Sequence, residues 1–175
     1  MQEQLTPDFG DYELLDTGDF EKLERFGRYV TRRPEPQAIW RRTLSEEEWR
    51  RAADASFLRD TRSEERGEWR LGPEMPSRWT VDYVYKGMRL RMRLGLTSFK
   101  HVGIFPEQAA NWNFIYDNCV RMRAEERTPK VLNLFAYTGG ATLAARAAGA
   151  DTTHVDSVKQ VVTWARENME QSGLE

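Results

Sequence analysis

Cysteine and histidine are scarce in this sequence: its 175 residues include one cysteine, Cys119, and two histidines, His101 and His154. A single cysteine cannot form an intramolecular disulfide, and so few ligand side chains argue against a zinc site or another protein-bound metal. The sequence also lacks a run of about 18 uncharged apolar residues, and its first residues contain neither a basic stretch nor an apolar one, which argues against a membrane span and a secretory signal. We therefore expect a soluble, cytoplasmic protein.

The small net charge of −2 conceals a basic segment in the middle of the chain. Residues 1–77 carry a net charge of −5, residues 78–130 a net charge of +5, and residues 131–175 a net charge of −2. The excess lies in residues 78–100, where one acid, Asp82, stands among six bases: Arg78, Lys86, Arg89, Arg91, Arg93 and Lys100. A polyanion such as RNA is therefore expected to bind in this segment first.

Residues 1–76 predict a small, mostly β N-terminal extension, followed by a second domain over residues 77–175. Tyr12 to Leu15 predicts a strand, Asp16 to Asp19 predicts a turn, and Phe20 to Val30 is of mixed character.

One helix and one linker are expected in the same extension. Ser45 and Glu48 have the spacing of a capping box, which predicts a short helix that continues to about Ala53. Residues 59–72 are rich in charge and lack apolar periodicity, so they predict a linker or a mobile loop.

Residues 79–99 predict a β-hairpin that turns at Lys86 and Gly87. In its second strand Arg89, Arg91 and Arg93 fall on one face, because strand side chains alternate, and the other face is apolar: Met88, Leu90, Met92 and Leu94. The arginine face is interpreted as a solvated sheet face, which is favoured, or as an RNA-binding stripe that also includes Lys100.

A helix is expected to begin at Pro106, which suits a first helical position. Its apolar residues share one face that should pack on a sheet: Trp112, Ile115, Tyr116, Cys119 and Met122. On that face Cys119 is interpreted as a small buried hydrophobe, with a catalytic thiol as the less favoured alternative.

The last part of the chain predicts a βαβ unit followed by one more helix. Its elements are a buried strand, a turn, a helix, a second strand and a helix capped by Ser157, over residues 131–135, 136–140, 141–148, 152–156 and 157–169. This order is typical of a partial Rossmann-like α/β sheet, which binds ligands at the carboxyl ends of its strands. So few helices cannot cover both faces of a parallel sheet, so we expect a truncated domain whose exposed sheet supports self-association.

The turn after the first of these strands favours a nucleotide-like cofactor without a pyrophosphate. Its amides and the following helix attract a polar ligand group, and Asp156 ends the second strand where a carboxylate can accept both ribose hydroxyls. A dinucleotide site would place glycine where this chain has Phe135 and Tyr137. A nicotinamide-dependent oxidoreductase remains an alternative at this point.

Three segments, V-L-N-L-F-A-Y-T-G-G, G-A-D-T-T-H-V-D-S and W-A-R-E-N-M-E-Q-S-G-L-E, resemble the core of class I S-adenosylmethionine-dependent methyltransferases of the bacterial large-subunit rRNA methyltransferase-like group. The upstream F-K-H-V-G-I-F-P-E-Q-A-A-N-W is similar to the segment that precedes this core. The resemblance implies S-adenosylmethionine as the cofactor. It also implies that the methionine end, the ribose and the adenine are held by Asn133, Phe135, Ala136, Tyr137, Thr138, Gly139, Gly140, Asp156, Ser157, Phe105 and Gln108.

The same resemblance implies methyl transfer to an RNA base, with a ribosomal RNA as the substrate. The family's Asp-Pro-Pro signature and the nucleophilic cysteine of its cytosine-modifying members are absent from residues 1–175, so catalytic residues are expected beyond Glu175 and the fragment alone is expected to be inactive. Where the cytosine methyltransferases carry Asp-Gln-Arg, this chain has Glu107, Gln108 and Ala109. An RNA-binding module without catalysis is the alternative function.

Overall fold

The computed structural model describes residues 7–60, 66–125 and 127–174. The described residues form two compact units: those within Gly10–Val81 and Leu94–Val102 form a β unit, and those within Met1–Phe9, Asp82–Arg93 and Gly103–Glu175 form an α/β unit. The units divide the chain within the two hairpin strands. The sequence-based domains, 1–76 and 77–175, remain a prediction.

The β unit contains a five-stranded sheet in the order β1-β2-β3-β4-β5, with one short helix. Neighbouring strands are antiparallel except β3 and β4, which are parallel and are joined through the helix. In chain order the elements are β1 (Tyr12–Gly18), β2 (Glu21–Phe26), β3 (Tyr29–Pro34), α1 (Glu46–Ala52), β4 (Ala55–Arg59) and β5 (Gly67–Leu71).

The predicted turn at 16–19 is wrong, because β1 continues through Gly18 and the chain turns at Asp19 and Phe20. Asp16 is buried, and its carboxylate accepts hydrogen bonds from the Leu44 amide and from Trp49 Nε1, both at 2.8 Å. An aspartate with these partners stabilises folded structure rather than a solvated turn. The segment Phe20 to Val30 forms the β2–β3 hairpin.

The predicted linker over residues 59–72 is also wrong in part, because Gly67–Leu71 forms β5 and pairs antiparallel with β4. Trp69 packs edge to face on Phe57 with ring centroids 5.2 Å apart, which supplies an apolar contact that periodicity does not reveal. Residues 61–65 of the predicted linker lie outside the described residues.

The predicted capping box is confirmed at the start of α1. The Glu48 amide donates to Ser45 Oγ, and the Glu48 carboxylate accepts from the Ser45 amide at 2.8 Å. Trp49 in the same helix is fully buried and anchors it to the sheet.

The predicted hairpin is confirmed as β6 (Arg78–Tyr85) and β7 (Met88–Gly95), which turns at Lys86 and Gly87. The predicted alternation is confirmed as well: Arg89 and Arg91 are exposed and Arg93 is half-buried, whereas the apolar residues that alternate with them are buried. β6 begins in the β unit and ends in the α/β unit, whereas β7 begins in the α/β unit and ends in the β unit.

The rest of the α/β unit has the predicted order of elements. A 3₁₀ turn (Pro106–Gln108) leads into α2 (Ala109–Ala124), which is followed by β8 (Lys130–Leu134), α3 (Gly140–Ala147), β9 (Asp151–Val155) and α4 (Lys159–Gln171). β8 and β9 are parallel neighbours, so the α/β, partial Rossmann-like fold is confirmed.

α2 packs against α3 through small apolar side chains. Cys119 is 4% exposed in this core and lies with Ala145, Ala148, Ala150, Ile115, Tyr116 and Val131. Burial raises the pKa of the Cys119 thiol above its ordinary value, which favours the interpretation as a small hydrophobe over a nucleophilic thiolate.

One face of the β8–β9 sheet is exposed in the described part of the chain. Leu132 is 61% exposed, and Leu134, Val155 and Phe135 are also exposed. The prediction of a buried strand is therefore wrong for one face of β8, whereas Val131 and Asn133 on the other face are half-buried. No described helix is both long enough and apolar enough to cross a membrane.

Candidate functional site

The turn between β8 and α3 has an unusual backbone. Phe135 and Tyr137 adopt positive φ angles of 54° and 49°, and Gly139 has a φ of 97°. A left-handed conformation costs a non-glycine residue on the order of 1–2 kcal/mol, and such strain is concentrated at ligand sites. The Ala136 amide donates to the Val155 carbonyl at 3.1 Å and so ties the turn to the end of β9.

Asp156 follows β9 and holds this turn through its side chain. Its Oδ2 accepts a hydrogen bond from the Tyr137 amide, and its Oδ1 accepts one from the Val158 amide, both at 2.9 Å. The amides of Val158 and Tyr137 keep the pKa of Asp156 below its ordinary value of 3.8, so the carboxylate is ionised at neutral pH. Because an ionised carboxylate has about four acceptor positions, it can still accept from a ligand.

A cavity of about 310 Å³ lies at the carboxyl end of β8. Nine of the eleven cofactor-binding residues expected from the resemblance line it: Phe105, Gln108, Asn133, Phe135, Ala136, Tyr137, Thr138, Gly139 and Gly140. Asp156 and Ser157 do not line it, although Asp156 is joined to it by the hydrogen bond to Tyr137. Five further residues line the cavity and are not among the predicted cofactor-binding residues: Met92, Ile104, Trp112, Leu134 and Ala141.

Aromatic rings shape two walls of this cavity. The rings of Phe105 and Tyr137 lie 5.2 Å apart at a tilt of 45°. Trp112 lies so close to Gly140 that a Cβ there would be 2.6 Å from the indole. Glycine at position 140 therefore permits the contact between the start of α3 and α2.

Thr138 lines the cavity and makes two hydrogen bonds within the protein. Its hydroxyl donates to the Gly103 carbonyl, and its own carbonyl accepts from Asn168 Nδ2 at 2.9 Å. The side chain is buried. The hydroxyl proton is therefore used within the protein, and only the acceptor positions of this hydroxyl can serve a ligand.

The predicted N-cap at Ser157 is wrong. α4 begins at Lys159 with Val158 at the cap position, and no side chain of the cap residue bonds to the helix. Asp156 Oδ1 instead accepts from the Val158 amide, so one carboxylate both holds the turn and orders the approach to α4.

A chain of hydrogen-bonded polar side chains lies beside the cavity, and the sequence patterns do not predict it. Asn133 Nδ2 donates to Thr142 Oγ1 at 2.9 Å, and Thr142 Oγ1 lies 3.0 Å from His154 Nδ1. Asn133 and His154 are register partners on β8 and β9. Each is the third residue of its predicted parallel strand, 131–135 or 152–156. This shared position is the sequence feature that could have predicted the contact.

The predicted RNA-binding residues differ in their surroundings. Arg89 is exposed, Arg91 binds the Asp82 carboxylate with two bonds of 2.8 Å, and Arg93 pairs with Glu167 at 2.9 Å and stacks on a tryptophan ring. Lys100 belongs to the β unit, whereas the arginines belong to the α/β unit. The described residues contain no cluster of three or more His, Cys, Asp or Glu side chains able to bind a metal.

Comparison with known proteins adds relatives of one kind. A crystal structure of the S-adenosylmethionine-dependent methyltransferase from Agrobacterium tumefaciens is 40% identical and superposes with a TM-score of 0.82 over 95% of this chain and 50% of that protein. The ribosomal RNA large subunit methyltransferase K/L of Magnetococcus marinus is 37% identical over 86 residues, which is 49% of this chain and 11% of the relative.

A third relative shows the fold alone. It is a putative methyltransferase complexed with S-adenosylhomocysteine (SAH), with 18% identity, a TM-score of 0.67, and coverage of 97% of this chain and 44% of that protein. No protein-family model matches the chain.

This chain spans about half the length of the solved relatives and about a tenth of the curated relative. Over the matched residues, the sequence identity and the superposition of the fold both indicate methyltransferases. The resemblance to class I S-adenosylmethionine-dependent methyltransferases is thereby confirmed.

Proposed function

We propose that this chain binds S-adenosylmethionine and forms the cofactor-binding part of a methyltransferase that acts on an RNA base. The observation that carries the proposal is the cavity at the end of β8, whose strained wall is held by the ionised Asp156. Its position at the carboxyl ends of parallel strands is where folds of this class bind ligands.

The residues present fit this cofactor. The cavity of about 310 Å³ is at the lower end of the range for small-molecule sites, about 300–1,000 Å³. Asp156 has acceptor positions left for the two ribose hydroxyls, and the aromatic side chains of Phe105 and Tyr137 line the cavity. Asn133 is available to the amino-acid end, whereas the amides of Ala136, Tyr137 and Gly139 already donate within the protein.

The sulfonium of S-adenosylmethionine would supply an electrophilic methyl group. The task of these residues is then to orient the cofactor, so that methyl group and acceptor meet in line. Asp156 and the backbone of residues 135–140 fix its two ends. We assign no catalytic residue among the residues described here.

RNA is proposed as the acceptor because the Magnetococcus relative is named as a ribosomal RNA methyltransferase, and because β7 exposes Arg89 and Arg91. The engagement of Arg91 with Asp82 and of Arg93 with Glu167 makes Arg89 the main candidate for a phosphate contact. An RNA-modifying role also agrees with the expected cytoplasmic location.

A nicotinamide-dependent oxidoreductase is the less favoured alternative. Phe135 and Tyr137 occupy the positions where a pyrophosphate needs glycine, and the side chain of Phe135 is 91% exposed at that point. A diphosphate would therefore meet side chains where it needs backbone amides.

Calorimetric titration of the 175-residue chain with S-adenosylmethionine and with NAD tests the cofactor. The proposal expects saturable binding of S-adenosylmethionine and none of NAD. Saturable binding of NAD alone would overturn it. Salt-dependent RNA binding without any binding of S-adenosylmethionine would favour the RNA-binding module instead.

A further inference from the structure

Three polar side chains form a chain of hydrogen bonds beside the cavity. Asn133 on β8 and His154 on β9 are direct register partners, and Thr142 on α3 lies between them. Thr142 is buried, with 8% of its surface exposed. Asn133 alone of the three lines the cavity.

The amide group fixes the direction of the first bond, and the tautomer of His154 fixes that of the second. Asn133 Nδ2 can only donate, so Thr142 Oγ1 accepts at 2.9 Å. A neutral imidazole with its proton on Nε2 accepts the Thr142 hydroxyl proton at Nδ1, 3.0 Å away, whereas the other tautomer donates from Nδ1 to Thr142 Oγ1. The first tautomer is the one in which the Thr142 hydroxyl proton has an acceptor in this chain of bonds.

The surroundings of His154 favour that neutral form. Burial lowers the pKa of His154 below its ordinary value of 6.5, while the Asp156 carboxylate and the nearby backbone of Tyr137 act in the opposite direction. β8 presents the neutral Asn133 and α3 presents the neutral Thr142, so Asp156 is the charged group that acts on the ring.

The bond to Thr142 fixes which end of the Asn133 amide faces the ligand. With Nδ2 turned toward α3, Oδ1 is left as an acceptor for a donor in the cavity. The amino-acid end of S-adenosylmethionine carries such a donor, a charged ammonium, and a hydrogen bond to a charged group is among the stronger ones.

We propose that Thr142 and His154 are positioning residues that hold the Asn133 amide with its oxygen toward the cavity, and that they thereby favour ligands with an ammonium group. The inference rests on the proposed binding of S-adenosylmethionine and deepens it. When His154 gains a proton, Nδ1 becomes a donor, the hydroxyl proton of Thr142 loses its acceptor, and a flipped Asn133 amide becomes favourable.

The first test compares two ligands that differ in the ammonium group. SAH has the amino-acid end, and 5′-methylthioadenosine lacks it. Thr142→Val removes the hydroxyl while keeping the shape, and Thr142→Ser keeps the hydroxyl. We expect Thr142→Val to weaken SAH binding about tenfold and to leave 5′-methylthioadenosine unchanged, and we expect Thr142→Ser to retain the wild-type affinity for SAH.

An equal loss for both ligands would overturn the inference, because it would indicate a general structural role for Thr142. An unchanged affinity of Thr142→Val for SAH would overturn it as well. If wild type binds neither ligand, the proposed function itself fails, and that outcome is distinct from a failure of the positioning role.

The second test uses pH. We expect the affinity of wild type for SAH to fall as the pH is lowered from about 7 to about 5, where a histidine of lowered pKa becomes protonated. His154→Asn keeps a hydrogen-bonding atom at the δ position and does not titrate, so its affinity should be constant over this range. A pH dependence that persists in His154→Asn would contradict the inference.

Discussion

The carboxylate of Asp156 accepts a hydrogen bond from the backbone amide of Tyr137 at 2.9 Å. This bond crosses from the end of one parallel strand to the turn that follows its neighbour. Tyr137 has a positive φ of 49°, so the bond helps to hold a conformation that is unfavourable for tyrosine. The same residue that is expected to bind the ribose therefore also shapes the cavity wall.

Gly139 should be intolerant of a side chain. It has a φ of 97°, and an added Cβ would lie 2.8 Å from Leu143 and 3.2 Å from Ala165. Gly173 is the matched control, because its φ is 66° and an added Cβ there has open space. Gly173→Ala should cost about 1–2 kcal/mol of the free energy of unfolding from backbone strain, and Gly139→Ala about 1–3 kcal/mol more from overpacking. Equal losses in urea unfolding would show that the packing account of Gly139 is wrong.

A buried ion pair stabilises the β unit. Glu24 is fully buried, and its carboxylate binds the Arg33 guanidinium at 2.6 Å and 3.1 Å. Glu24→Gln should lower the free energy of unfolding by about 3–5 kcal/mol, since it leaves a buried charge without its partner. The control is Glu13→Gln, which breaks the exposed pair with Arg25 and should cost at most about 1 kcal/mol.

The same pair predicts a dependence of stability on pH. Burial alone would raise the pKa of Glu24, but the charge of Arg33 lowers it below the ordinary value of 4.5. A depressed folded-state pKa means that the stabilisation is complete above about 4.5 and is lost as the pH falls through the folded-state value. Wild type should therefore lose more stability than Glu24→Gln between neutral and strongly acidic pH. Parallel losses would indicate that other groups cause acid unfolding.

Arg89 and Arg93 should differ in what their removal changes. Arg89 is exposed, so Arg89→Ala should weaken RNA binding and reduce its salt dependence without changing the melting temperature. The guanidinium of Arg93 lies 4.2 Å from the ring centre of Trp164 and pairs with Glu167, so Arg93→Ala should lower the melting temperature. If Arg89→Ala leaves RNA affinity unchanged in filter binding, the predicted contact on β7 is wrong.

The exposed face of the β8–β9 sheet predicts self-association. Leu132 is one of the apolar side chains on this face, and an apolar surface of this kind favours burial against another copy. Leu132→Lys should therefore reduce association in sedimentation velocity. Leu14→Lys, at a similarly exposed leucine of β1, is the control and should not. Identical sedimentation of both variants and wild type would contradict the prediction.

Local patterns in the sequence predict those elements whose own residues determine them. The alternation of arginine with apolar residues in β7 and the spacing of Ser45 and Glu48 are such patterns, and both predictions are confirmed. The sequence pattern does not predict β5, because its residues are mostly charged or exposed and the strand is stabilised by pairing with β4 and by the contact of Trp69 with Phe57. The pairing is a tertiary contact, which the hydrophobic periodicity of the segment itself does not reveal.

Sequence motifs predict one part of the candidate site. The other part depends on how β8 and β9 are aligned, which no motif shows. The turn 135–140 and Asp156 were visible as a strand end, a glycine pair and a second strand end. The bond from Asn133 through Thr142 to His154 needs the alignment of β8 with β9. Ser157 was wrongly predicted as a cap, because Asp156 supplies the hydrogen bond to the Val158 amide.

The central claim is that the carboxylate of Asp156 helps to bind S-adenosylmethionine at the end of the parallel sheet. The most direct measurement is calorimetric titration of SAH into wild type, Asp156→Ala and the control Asp151→Ala, which removes an exposed carboxylate from β9. We predict that wild type and Asp151→Ala bind alike and that Asp156→Ala binds at least about tenfold more weakly. Equal affinity of all three proteins, at equal thermal stability, would contradict the account.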